Sequence, residues 1–436
     1  MANNHFNDKG TEAEQLIAKL CGDSYTAEFC FLNPYYAPGK ELCDVLVILG
    51  DTAIIWQIKN LKLVNDKFNE GEFDKNIRQC RGAKRKLLAT DTLMLKNIEG
   101  KTKTIYPKEL KTIHLISAIE GGYELSSRYY DEAPGGNVHV FFKGFTRFAL
   151  EHFNTVTDLA EYLRKKELFL DKTPGLILGG GEEDFAAVYL KNNHTFGNME
   201  DSNATLMFYD GEGAAENLIN DEEYKEKLEA DRWAEGWDHL IEMRRQGIPF
   251  EPQDGDEKYR DDILMKMMSH NRLDRRFLGQ LFFEGAREAL QHNGGPGFIY
   301  RKYVPMDGFT YVFAYFGDQN ITQEVRQKML YISALLAREK FPQNETIIGI
   351  LTEKNMLEQE SVGYEWIGLM IPEADMIHYQ EQLGQIKAMA PPPTGQLKRA
   401  KYFEYPADYR DYIQELKKKK AVKKKKKNKR KKRRSR

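Results

Sequence analysis

The stretch Leu-Cys-Asp-Val-Leu-Val-Ile-Leu-Gly-Asp-Thr-Ala-Ile-Ile-Trp-Gln-Ile-Lys at residues 42–59 decides the fold of the first part of the chain. Two runs of β-branched and aromatic residues flank a Gly-Asp pair, a pattern typical of antiparallel strands joined by a two-residue primed turn. Counting outward from that turn places Gln57 opposite Asp44. Opposed residues project to the same face of a sheet, and strand alternation adds Lys59 to that face. The sequence therefore predicts that an acid, an amide and an ammonium cluster.

These polar residues interrupt a strand that is otherwise apolar on both faces. Ile55 shares the face of Gln57, while Trp56 and Ile58 line the other face, as in sheets covered by helices. A polar group in such surroundings needs a partner or a function. The alternative stays open that Gln57 and Lys59 mark a solvent-facing side and that the acid only caps the strand entrance.

Length and composition indicate an ordinary globular protein. The 436 residues exceed one compact core, and 41% of them are hydrophobic and 30% charged. Residues 1–10 lack a signal-peptide pattern, and no apolar run approaches the roughly 20 residues of a membrane-spanning helix. We therefore expect a soluble, cytoplasmic protein with no membrane partner. Cysteines occur without a Cys-x-x-Cys pair and are predicted to be reduced core residues. They are Cys21, Cys30, Cys43 and Cys80.

Charge is distributed unevenly along the chain. Residues 417–436 hold 16 Lys or Arg and no acid, so the other 416 residues carry 49 bases against 66 acids, a net charge of −17. Such a tail repels itself and is expected to be disordered when free. It predicts a nonspecific tether for nucleic acid, with steeply salt-dependent binding. The alternative is a tail that neutralises the acidic body.

The order of apolar patterns predicts an α/β protein with two domains. A mixed sheet flanked by helices is expected over residues 1–170, followed by a mainly helical connecting region over residues 171–257. A second α/β domain, for recognition or regulation, is predicted over residues 258–390. A Pro-rich linker and the Lys/Arg-rich tail occupy residues 391–436.

Oxygen ligands near a cation are the chemistry that metal-dependent phosphodiester hydrolysis requires. Asp44 would supply a hard oxygen ligand and Gln57 a neutral one, while Lys59 could hold the attacking water. Glu14 lies at the edge of the apolar stripe of a helix predicted over residues 11–21, so it should lean toward the sheet and complete the cluster.

Basic side chains occupy one side of a second helix, predicted over residues 70–89. We interpret them as contacts to a phosphate backbone, and the alternative is a solvated face paired with acids. These residues are Arg78, Arg81, Lys84 and Arg85. By contrast, His114, His139 and His152 have no mutual spacing typical of a metal site and are interpreted as structural.

This set of residues resembles the PD-(D/E)XK nuclease superfamily, and within it the Mrr-like restriction endonucleases that carry Gln in place of the second acid. The resemblance covers residues 8–150 and depends on four segments. They are Gly10-Thr11-Glu12-Ala13-Glu14, Asp44, Gln57-Ile58-Lys59 and Asn76-Ile77-Arg78-Gln79-Cys80-Arg81-Gly82-Ala83. It implies metal-ligand roles for Glu14, Asp44 and Gln57, a water-positioning role for Lys59, and a polar contribution from Gln79.

The resemblance also implies a restriction-endonuclease-like fold, Mg²⁺ as cofactor with Mn²⁺ as a substitute, and DNA in preference to RNA as substrate. Defence against foreign DNA would be a natural role, with a homo-oligomer or a regulatory partner as further expectations. No Pro precedes Asp44, and the neutral Gln57 should weaken cation binding. Two alternatives stay open: a nucleic-acid-binding or scaffold protein with an inactive nuclease fold, and an RNase on the same fold.

Overall fold

A computed structural model describes two compact units, Met1–Ala230 with Met268–Arg272 and Phe403–Arg436, and Asp231–Met267 with Leu273–Tyr402. The described residues within them are 14–19, 21–23, 25, 27–61, 69–120, 130–173, 175–201, 206–246, 257–291, 299–316, 322–353, 364–389, 403–415 and 417–418. The first unit thus extends beyond residue 170 and includes much of the region predicted to be a connection.

Helices and strands of the first unit alternate along the chain. They are α1 (residues 14–19 and 21–23), β1 (Cys30–Leu32), β2 (Tyr35–Ala37), β3 (Lys40–Glu41), β4 (Val45–Leu49), β5 (Thr52–Asn60), α2 (Glu70–Leu88), β6 (Leu93–Lys96), β7 (Thr102–Ile105), β8 (Thr112–Glu120), β9 (Tyr130–Asp131), β10 (Val138–Phe142), α3 (Lys143–His152), α4 (Val156–Lys172), β11 (Gly175–Leu178), α5 (Glu182–Lys191), β12 (Leu206–Tyr209), α6 (Ala214–Asn220) and α7 (Glu222–Ala230).

A six-stranded mixed sheet in the order β1-β4-β5-β8-β10-β9 forms the centre of this unit. β1, β4 and β5 are antiparallel neighbours, and β5, β8 and β10 are parallel. α2 covers one face with Phe73, Ile77 and Leu87 in a common apolar core. On the other face the ring of Trp56 packs edge-on against Phe141 at 5.7 Å between centroids. The mixed α/β class predicted from the sequence is therefore present.

The β4–β5 hairpin has the predicted register. Leu49 pairs with Thr52 and Val45 with Trp56, so one further step outward places Gln57 opposite Asp44. Gly50 adopts a φ of 60°, which favours glycine and suits a primed turn. The turn thus fixes which side chains share a face.

Asn76 is a buried polar residue on the sheet-facing side of α2. Its Nδ2 donates to the carbonyl oxygen of Gln57 at 3.1 Å and to Oγ of Ser117 at 2.8 Å. These two partners lie on neighbouring strands, β5 and β8, and are themselves paired. Asn76 therefore anchors α2 to the part of the sheet that carries Gln57.

The segment after the predicted linker contributes a helix to the first unit. Residues 406–415 form α13, and the buried Tyr405 donates from its hydroxyl to the carbonyl oxygen of Leu190 at 3.0 Å. The prediction that all of residues 391–436 are linker and tail is therefore wrong for this part. Most of the lysine-rich tail, residues 419–436, and the Pro-rich stretch lie outside the described residues.

The second unit contains a mixed sheet in the order β13-β14-β15-β16, with β14 and β15 parallel. Its described elements are α8 (Arg232–Gln246), α9 (Glu257–Met268), α10 (Arg272–Gln291), β13 (Ile299–Pro305), β14 (Phe309–Phe316), α11 (Gln323–Lys340), β15 (Thr346–Glu353), β16 (Tyr364–Met370) and α12 (Met376–Met389). The fully buried Arg338 ties α11 to the end of the sheet through Ile371 O at 2.7 Å. Across the described parts of both units, no helix is long and apolar enough to cross a membrane.

Replacing Asn76 with alanine should destabilise the first unit. The carbonyl of Gln57 and the hydroxyl of Ser117 would lose a buried partner, which costs on the order of 1 to 3 kcal/mol. Gln79→Ala is the matched control, because Gln79 is exposed on the same helix and an exposed substitution changes stability by about 0.5 kcal/mol or less. Urea denaturation measures both variants, and equal midpoints would contradict the anchoring role of Asn76.

Candidate functional site

Asp44 is fixed at the entrance of β4 by its main chain and its side chain. Its amide donates to Trp56 O at 3.2 Å, and its carbonyl accepts from the amide of Asn33 at 2.8 Å. Its carboxylate accepts from the amide of Ile58 at 2.5 Å. The half-buried carboxylate therefore has one oxygen oriented by the neighbouring strand, while its other oxygen is available to a ligand.

Two further carboxylates, Glu14 and Glu41, approach Asp44. The side-chain amide of Asn33 connects this group: with its nitrogen oriented toward the strands it donates to Glu41 Oε1 at 2.9 Å, and in the opposite orientation it lies 3.5 Å from Glu14 Oε2. Burial raises the pKa of Asp44 to about 7, and the charges of Glu14 and Glu41 add to the rise, while the Ile58 hydrogen bond and Lys59 oppose it. Carboxylates thus crowd together around Asp44.

Gln57 and Lys59 lie on the face of β5 that Asp44 shares. Gln57 is buried, and the Lys59 side chain is 33% exposed. The Lys59 ammonium forms an ion pair with Glu72, at 2.8 Å, in the first turn of α2. This contact also lowers the pKa of Glu72. The ammonium is therefore held at the rim of the site by a second acid.

The structure brings together four of the five residues predicted to form the site. Glu14 and Lys59 lie close enough to Asp44 to shift its pKa, and the pairing register places Gln57 beside it. Gln79 is different. It is exposed on α2, two turns beyond Glu72 and roughly 10 Å along the helix axis, and none of the contacts among the described residues joins it to the other four.

The predicted phosphate contacts on α2 also divide into two groups. Arg78 and Arg85 are exposed, and Lys84 is half-buried. Arg81 has a structural role, because it pairs with the carboxylate of Asp131 and donates from Nε to the carbonyl oxygen of Gly136 at 2.8 Å. Its guanidinium therefore holds the segment between β9 and β10, which corrects the prediction that it is free to contact a phosphate backbone.

Three residues of the site were not predicted: Asn33, Glu41 and Glu72. Asn33 adopts a φ of 46°, which is uncommon for a residue other than glycine. An Asn preceding a Pro-Tyr-Tyr loop gives a weak signal of this kind. Glu41 and Glu72 lie just outside the hairpin and the helix, and no spacing rule connects them to Asp44 or Lys59.

The donor set fits a hard divalent cation. Carboxylate and amide oxygens are the ligands that Mg²⁺ and Ca²⁺ prefer, and the site offers them from Glu14, Asp44 and Gln57, with Glu41 nearby. The repulsion that raises the pKa of Asp44 would be relieved by a positive ion. A phosphate alone would meet the same repulsion.

A second titratable cluster lies on the opposite face of the sheet. His114 on β8 and His139 on β10 converge on Glu167 of α4, and the ligand atoms of all three residues lie within 4.8 Å of one another. The interpretation of these two histidines as unrelated structural residues is therefore incomplete, because parallel neighbouring strands bring them together. His152 is not part of the cluster and instead faces the hydroxyl of Tyr224 at 2.8 Å.

Asp44→Asn should stabilise the metal-free protein in a pH-dependent way. The pKa of Asp44 is about 7 in the folded state against a usual value of 3.8, so the stability from this group is present at low pH and is lost as pH rises through about 7. Asparagine keeps the acceptor for Ile58 but has no such proton. Its advantage over the wild type should grow by on the order of 2 kcal/mol from low to neutral pH.

The measurement is urea denaturation of both proteins in chelator at several pH values. Asp51→Asn is the matched control, because Asp51 lies in the exposed turn of the same hairpin. A difference between Asp44→Asn and the wild type that stays constant with pH would contradict the raised pKa.

Comparisons with known proteins do not assign this site to a family. No family model matches the chain, and neither a curated protein nor a solved structure matches it. The function must therefore be inferred from the residues and their geometry.

Proposed function

We propose that the protein is a metal-dependent endonuclease that hydrolyses phosphodiester bonds, with DNA as the substrate expected first. One observation carries the proposal: Asp44, Gln57 and Lys59 share one face at the end of a hairpin, beside Glu14. This is the arrangement that the resemblance to Mrr-like restriction endonucleases requires. The central mixed sheet, covered on one face by α2 and on the other by α3 and α4, also suits a restriction-endonuclease-like fold.

Glu14, Asp44 and Gln57 would hold Mg²⁺, and Glu41 is a further oxygen donor at the edge of the site. The bound ion would supply a Lewis acid and an activated water. The hydrogen bond from Ile58 fixes one oxygen of Asp44, so the other oxygen is held in a defined direction without reorganisation. Mn²⁺ accepts the same oxygen ligands and should substitute.

Lys59 would orient the attacking water and balance the charge that develops on the phosphate. Its ion pair with Glu72 at 2.8 Å holds the ammonium at the site, and the lysine stays protonated next to that acid. Because several acids surround a single lysine here, a phosphate backbone needs additional positive charge to approach. The exposed Arg78 and Arg85 on α2 and the basic tail are the candidates for that role.

A second candidate function is nucleic-acid binding without cleavage. Two observations favour it: the neutral Gln57 stands where a second acid would strengthen metal binding, and Lys59 is already paired with Glu72. An RNase remains a third candidate, since the site residues do not contact a sugar-specific group. Substrate assays with the same protein separate the three functions.

Asp44→Asn and Lys59→Met should each abolish Mg²⁺-dependent cleavage. Loss of a metal ligand or of the cation that stabilises the reacting phosphate typically lowers the rate by about 100-fold or more. Purified protein is incubated with single- and double-stranded DNA and RNA in Mg²⁺, Mn²⁺ or chelator. Asp51→Asn and Lys111→Met are the matched controls, because this exposed pair lies away from the site at the hairpin turn.

The substrates decide between the candidate functions. Cleavage of RNA alone would favour an RNase, and binding without cleavage of any substrate would favour the binding protein. Cleavage that survives both Asp44→Asn and Lys59→Met would refute the assignment of the site.

Deleting residues 417–436 should reduce the salt dependence of nucleic-acid binding without removing cleavage. The segment carries 16 basic residues, and each phosphate contact adds about 0.9 to the slope of log affinity against log salt concentration. Fluorescence anisotropy at several salt concentrations gives both slopes. An unchanged slope would show that the tail does not contact the backbone.

A further inference from the structure

The cluster of His114, His139 and Glu167 joins three elements of the first unit. His114 and His139 lie on neighbouring parallel strands, β8 and β10, and Glu167 reaches them from α4. His114 pairs in register with Ile54, whereas Gln57 pairs with Ser117. Strand alternation therefore places the two histidines on the face opposite to the one that carries Asp44.

The contacts within the cluster leave His114 unsatisfied. Glu167 Oε1 lies 2.9 Å from Nε2 of His139 and 3.6 Å from Nδ1 of His114. The longer distance exceeds that of a hydrogen bond. The remaining nitrogen of His114, Nε2, is buried without a hydrogen-bond partner, and so is Nδ1 of His139. His114 is 3% exposed and His139 is fully buried, and buried polar groups normally have partners.

The spacing of the three ligand atoms suits a tetrahedral metal ion. Ligand atoms that each lie about 2.0 to 2.1 Å from a zinc ion are separated by roughly 3.4 Å. The observed separations of 2.9 and 3.6 Å lie on either side of that value. A metal between the three side chains would thus give His114 the partner that it lacks, with only small side-chain movements.

The ligand types identify the class of ion. Imidazole nitrogens suit Zn²⁺ and other late first-row metals, whereas Mg²⁺ prefers oxygen ligands alone. We propose that His114, His139 and Glu167 bind one Zn²⁺-class ion, separate from the Mg²⁺ site proposed at Asp44. The fourth position would be filled by water, reached from the side of Glu167, whose side chain is 27% exposed.

The surroundings of the cluster are compatible with a cation. Lys166, the charged residue next to Glu167, is neutralised by the buried Glu182 at 2.5 Å. Burial lowers the pKa of His139 to about 4, so its imidazole is neutral and keeps a lone pair at neutral pH. The ring of Tyr130 packs beside His139, with 5.4 Å between ring centroids, and covers it from solvent.

Such an ion would connect α4 to both strands. Ions that bind the folded state and not the unfolded chain stabilise the fold by mass action. The ion is therefore a structural clamp on the face opposite the proposed catalytic site, and its removal should lower the melting temperature of the first unit.

The test is zinc retention by the full chain after dialysis against a weak chelator, measured by mass spectrometry of the metal. The wild type should retain about one zinc ion per chain. Loss of outer partners alone weakens metal sites by about 10- to 100-fold, so Glu167→Gln and His139→Gln, which each remove a ligand, should lose at least that much affinity. His194→Gln is the matched control, because His194 also faces a carboxylate, Glu404, at 3.6 Å but lacks a second histidine.

Two further measurements keep the result interpretable. Asp44→Asn should retain the zinc ion, which separates this site from the one proposed for Mg²⁺. In the wild type, Co²⁺ should give the absorption of nitrogen and oxygen coordination without thiolate charge transfer, a readout that does not depend on any variant folding. The proposal is overturned if the wild type retains no zinc, if cobalt shows thiolate ligation, or if Glu167→Gln and His139→Gln retain as much zinc as His194→Gln.

Discussion

The register of the β4–β5 hairpin is the constraint on which the rest of the first unit depends. Side chains alternate between the faces of a strand, so a slip of one residue would move Asp44, Gln57 and Lys59 to the wrong faces. The turn at Gly50 sets that register. Pairing of β5 with β8 then extends it across the sheet, residue by residue.

Because the central strands are covered on both faces, one sheet can carry two different polar clusters. Oxygen ligands and the ammonium of Lys59 gather on the face covered by α2. The imidazoles of His114 and His139 meet Glu167 on the face covered by α4. The strands separate the clusters, so hard and soft ligands do not mix, and each cluster can select its own class of ion.

Electrostatic repulsion distinguishes the Asp44 cluster from an ordinary structural one. Glu14 and Glu41 raise the pKa of Asp44, although a structural carboxylate usually has partners that lower it. Glu167 is such a case, since the two histidines help to hold its pKa near 2. Asp44 is therefore unfavourable for the fold as a bare carboxylate, and strain of this kind is typical of functional sites.

The sequence by itself determined the hairpin, its register and the helix that follows, because a tight turn and strand alternation act over a few residues. These rules were enough to place Gln57 beside Asp44. Only the tertiary structure decided which helix side chains reach the sheet. It excluded Gln79, assigned Arg81 to the segment after β9, and brought His139 to a partner on α4. Such contacts join residues far apart in the chain, and they depend on how each helix packs, which no local pattern encodes.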